Sequence, residues 1–142
     1  MLGHHPYLEK AIVEEGAFLL VNASAGELSA LDTFPLHLLA TTPGYLAQNA
    51  ETLQAVLRGL LTAQKIIRGD PDLAKKIIMA ALPDLDMRLL EKGVKINFPA
   101  VSPSPLISPE GYKIVTEMFG LSGVGSFDQV VDNSFANAAL AP

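Results

Sequence analysis

The sequence predicts a helix-rich α/β fold with two short strands near the N-terminus. Two observations predict it. Residues 17–21 and 36–41 are apolar runs of strand length, separated by a polar loop with Asn22, Ser24, Gly26, Ser29 and Asp32. After Thr41, apolar residues recur at intervals of three and four, broken by capping residues and prolines that start new helices. At 142 residues the chain is long enough to bury a core of its own.

The elements follow in order. Residues 6–15 carry Leu8, Ala11 and Ile12 at helical spacing, and Gly16 stands where a helix ends in the left-handed conformation. Thr42 before Pro43 has the form of an N-cap followed by proline at the first helical position, where the missing N–H costs nothing. Asn49 then opens the longest helix. Its stripe is Leu53, Val56, Leu57, Leu60, Leu61 and Ile67, with Glu51 near the positive end of the dipole and Arg68 near the negative end.

Gly69, Asp70 and Pro71 stop that helix and start a second one, over 71–82, with Leu73, Ala74, Ile77, Ile78 and Ala81 inward. Pro83 and Asp84 repeat the device for a third, over 85–92, ended by Gly93, and the three form one packed cluster. Pro99, Pro103 and Pro105 predict an extended surface crossing over 94–107. Ser108 and Pro109 start a further helix with Tyr112, Val115, Met118 and Phe119 apolar and Gly120 at its end. A turn through Gly123 and Gly125 leads to the last segment, 127–140.

Charge narrows the partners. Fifteen acids against ten bases give a formal charge of −5, and the bases are scattered, so neither a nucleic-acid backbone nor an anionic membrane is an expected partner. The absence of cysteine removes disulfides, thiolate catalysis and cysteine-based zinc sites together. A hydrophobic content of 49% leaves two options, a rich core or an apolar surface that meets a partner.

No residue pattern supplies catalytic chemistry. His4 and His5 are adjacent, so their side chains diverge in a helix or a strand and do not grip one metal; a loop pair is the simpler reading. No serine sits in a Gly-x-Ser-x-Gly turn. The glycines of residues 120–125 lack the lysine of a phosphate loop and follow no strand, so they read as a connector. Glu14, Glu15, Asp84 and Asp86 sit near helix ends or on polar faces, where capping or solvation accounts for them. The expectation is no enzyme, no catalytic residues, no metal and no cofactor.

The order of segments carries a resemblance. Residues 6–11 (PYLEKA), 18–21 (FLLV), 34–41 (FPLHLLAT), Tyr45-Leu46 and 49–57 (NAETLQAVL) are similar to the second half of solute-binding proteins of the nitrate, sulfonate and taurine import systems. Residues 70–74 (DPDLA) and 130–135 (VVDNSF) continue it, so that it covers nearly the whole chain. Where that family commonly has a tryptophan two residues before the opening proline, this chain has His4.

The resemblance implies the C-terminal part of a two-lobe, type II periplasmic-binding-protein-like fold, with 1–41 as the tail of the second lobe and the return crossover strand, and 42–142 as helices of the first. It implies capture of a small polar or anionic ligand such as nitrate, a sulfonate or taurine for an ABC permease outside the cytoplasm, incomplete here because the N-terminal lobe is lacking. His4, His5, Pro6, Tyr7, Thr33, Phe34 and Pro35 are the residues it places nearest the ligand cleft. With that lobe lacking, the face it leaves is expected to be apolar and to self-associate. An alternative belongs to another class: a stand-alone helical module whose exposed apolar stripe pairs with a second copy or another chain.

Overall fold

The computed structural model describes residues 6–35, 37–102 and 104–141, with nothing stated for the Ser24 side chain. It is helical. Eight α-helices occur among the described residues: α1 (Tyr7–Glu15), α2 (Pro43–Gln48), α3 (Ala50–Gly69), α4 (Pro71–Ala81), α5 (Met87–Asn97), α6 (Pro109–Met118), α7 (Phe127–Val130) and α8 (Ser134–Leu140). Short 3-10 turns at Ala23–Ala25, Ser29–Leu31 and Phe98–Ala100 complete the regular structure.

No strand occurs among the described residues, so the α/β expectation is corrected to an all-helical fold. The reason lies in what a strand requires. An apolar run becomes a strand only when a neighbour accepts its ladder of backbone hydrogen bonds. After Gly16 closes α1 in the left-handed conformation (φ 68°), Ala17 N–H still reaches back to the Ala11 carbonyl at 3.1 Å. The following residues run on without a ladder, leaving Phe18 79% and Leu20 82% exposed. In the second run Leu36 lies outside the described residues, and 37–41 is likewise irregular and exposed.

The starts of the helices are written in the sequence. Thr42 Oγ1 accepts the Tyr45 N–H at 3.2 Å, Asp70 Oδ1 the Leu73 N–H at 2.9 Å, and Ser108 Oγ the Gly111 N–H at 3.0 Å, each cap followed by proline. Each meets a backbone donor with no partner inside its helix. Truncating Asp70→Ala is expected to cost about 1 kcal/mol, visible as a fall of a few degrees in the thermal midpoint.

The bounds of the third expected helix move. Gly93 ends nothing: α5 runs through it to Asn97, with Asp86 as its cap, and the 3-10 turn at Phe98–Ala100 occupies ground expected to be extended. Asn49 stands directly before α3, its carbonyl accepting the Leu53 N–H at 3.1 Å, and it also ends α2, its Nδ2 donating to the Tyr45 carbonyl at 3.0 Å.

The contacts gather into two units, interleaved in sequence. One draws on the described residues of Met1–Ser29 and Ala63–Pro103, the other on those of Ala30–Thr62 and Ser104–Pro142. In the first, α1 and α4 pack with α5; Ala74, Leu90 and Ile96 are buried, and Asn22 Nδ2 donates to the Ile96 carbonyl at 2.8 Å. In the second, Leu61 and Ala136 are buried, and Gln54 Nε2 on α3 donates to the Phe135 carbonyl of α8 at 3.2 Å.

These cores are thin. The accessible surface is 10056 Å², whereas a compact monomer of this mass exposes about 7100 Å² and two separate compact bodies of half the mass about 8500 Å² together. Many large apolar side chains are exposed on that surface, among them Leu20, Leu38, Val56, Leu60, Ile77, Phe119 and Val130. No described helix is long and apolar enough to cross a membrane.

Candidate functional site

In the first unit the helices leave an open groove of about 210 Å³. Its walls are Pro6, Ile78, Leu85, Leu89, Val94 and Phe98, with Glu9, Leu90, Gly93 and Asn97 completing the lining. Glu9 is only 3% exposed, and its Oε1 accepts from Asn97 Nδ2 at 3.0 Å. Gly93 faces that carboxylate: a Cβ there would stand 3.4 Å from Glu9 Oε1 and 3.7 Å from Asn97 Nδ2, an ordinary packing contact.

The groove is apolar with one buried carboxylate and one amide, and no Lys or Arg is among its described lining residues. An anion entering it meets no cationic partner there, while an apolar group meets aliphatic walls. Among the described residues no three His, Cys, Asp or Glu side chains stand together as metal ligands.

The residues expected near a ligand cleft fall in both units. His4 and His5 lie outside the described residues. Pro6 lines the groove, whereas Tyr7 at the start of α1 is exposed. Thr33, Phe34 and Pro35 belong to the second unit and are held against α6: the Phe34 and Phe119 rings meet at 6.5 Å, and the Thr33 carbonyl and Pro35 Cδ crowd Gly111. These three form a packing contact on α6.

Glu9 and Asn97 were not singled out by the sequence. Their signal was present: Glu9 shares the 9, 12, 13 face of α1 with Ile12 and Val13, a carboxylate on an apolar stripe, and Gly93 stands one turn before Asn97.

Surface charges set an acid limit on stability. The Lys75 ammonium, bonded 2.6 Å from Asp72, holds the Asp72 carboxyl below its ordinary 3.8, and the Arg88 guanidinium does the same to Asp86. Asp132 is lowered by hydrogen bonds from the Ser134 hydroxyl and N–H. A carboxyl whose folded value is lowered adds stability above its unfolded value and loses it as pH falls through the folded one. The contribution of all three should hold from neutral pH to about 4 and be lost below 3.8. Thermal midpoints across pH 2–7 check this, and 0.5 M salt should weaken the ion-paired share while leaving the Asp132 share.

No protein-family model matches the chain, and neither a curated protein nor a solved structure matches it.

Proposed function

We propose that this chain is a helical docking module, which closes its unburied apolar helix faces on a second polypeptide surface. One observation carries the reading: the accessible surface exceeds what even two separate compact bodies of half the mass would expose, and many large Leu, Val and Phe side chains are exposed on it. Apolar surface of that extent gains about 25 cal/mol per Å² when a partner removes it from water. Association supplies what the thin cores lack. The test is light scattering over a concentration series with an apolar-surface dye alongside. Dye binding at low concentration that declines as mass rises is the expected result; a monomer that binds no dye at any concentration sinks the reading.

Solute capture for an ABC import system is a second reading, favoured by the order of segments from 6–11 to 130–135 and by the position of Pro6 on the groove wall. It ranks second because that groove offers an anion no described cation. Thermal shift with nitrate, taurine and an alkanesulfonate separates the two: a saturating rise in Tm favours capture, and unchanged midpoints favour docking.

A further inference from the structure

The helix α3 presents an uncharged side to solvent. At 100° per residue, Thr52, Ala55, Val56, Gly59, Leu60 and Ala63 fall within one 140° arc, and all six are exposed. Val56 is 42% and Leu60 48% exposed. Of the four charges on α3, Glu51, Arg58 and Lys65 are spaced by seven residues and so lie along one edge of the arc, acid at the N-terminal end and base at the C-terminal end. The opposite edge, with Leu53, Leu60 and Ile67, has only Arg68 beyond it, in the last turn.

That distribution selects an occupant. When two helices pair antiparallel about a two-fold axis, each edge meets the same edge of its mate in reversed direction; in a parallel pair it meets the other edge. Here only the antiparallel pair sets acid against base, and it does so twice by symmetry. The helix dipoles then also run in opposition. We infer that α3 is the contact between two copies of this chain, crossing antiparallel near Gly59, with Val56 and Leu60 buried and Glu51 of each copy beside Lys65 of the other.

The inference rests on the docking reading and narrows it to one surface and one partner. A Cβ at Gly59 would have nothing within 4 Å, so the chain's own packing does not require glycine there. At the crossing its absence lets helix axes approach to about 8–10 Å, which leaves roughly 3.5–5.5 Å between facing Cα atoms. A disulfide spans the upper part of that range.

The chain has no cysteine, so single cysteines report the geometry directly. Under oxidation Gly59→Cys should form a disulfide dimer, Ala63→Cys alone should not, and a mixture of Ala55→Cys with Ala63→Cys should. Leu60→Glu should raise the dimer Kd at least about tenfold, with helicity by circular dichroism unchanged, because it leaves a charge in the contact. Arg58→Ala should lower it, since the two guanidinium groups come close at the axis. A dimer that survives Leu60→Glu and gives no Gly59→Cys disulfide overturns the α3 contact while leaving docking through another face. A chain that stays monomeric to millimolar concentration, yet binds the dye, overturns pairing between copies while leaving docking to a different protein.

Discussion

Gly111→Ala is expected to destabilise the second unit by about 2 kcal/mol or more, and Gly111→Val by more still. Gly111 is in the first turn of α6, where its N–H is held by the Ser108 cap. A Cβ built on it collides with the Thr33 carbonyl oxygen and stands 3.3 Å from both Pro35 Cδ and Ser108 Oγ. The first of these is backbone and has no rotamer by which to withdraw. Relief therefore requires the 33–35 segment to lift from the helix, and the Phe34–Phe119 ring contact goes with it. The helix-propensity gain from glycine to alanine, up to about 1 kcal/mol, offsets only part of this. Gly44→Ala, in the first turn of α2, is the control with the opposite sign: the same gain applies there and nothing lies within 4 Å to oppose it. Urea unfolding of both variants, read at equal m-value, checks the pair. Equal midpoints would mean that Thr33 does not sit tightly on α6.

The helices were legible because their signals are local. The caps at Thr42, Asp70 and Ser108, each followed by proline, and the left-handed close at Gly16 need only a few neighbouring residues, and the structure has all four. The strands failed because a strand is decided by its partner. Residues 17–21 have the composition, but composition supplies no second edge. Gly93 shows a different failure. Its neighbour is Glu9, 84 positions earlier in the chain, whose carboxylate α5 packs against at this position. A glycine in a helical pattern reads as a stop or as a place of close approach, and only the packed neighbour decides between them. The groove was illegible for the same reason: Pro6, Ile78, Leu89 and Phe98 share no motif, and only the packing of α1 and α4 with α5 assembles them.

Asn133→Ala is expected to cost about 1–3 kcal/mol, more than the loss of a helix cap. Its side chain donates from Nδ2 to the Ile107 carbonyl at 2.8 Å and accepts the Ile107 N–H on Oδ1 at 3.2 Å. Those two bonds reproduce the pairing one residue of an antiparallel strand gives another, and they satisfy both backbone groups of a part-buried residue. Asn133 stands at the N-cap of α8 yet makes no side-chain cap bond there, since its amide is committed to Ile107. Alanine leaves two backbone groups to find water at a half-buried position. Asn133→Asp separates the two bonds: it can still accept from the Ile107 N–H, but it sets a carboxylate oxygen against the Ile107 carbonyl, so it should be at least as destabilising as alanine. Hydrogen exchange at the Ile107 amide gives the specific readout. Protection should collapse in Asn133→Ala and persist in part in Asn133→Asp, a contrast that general loosening of α8 would not produce.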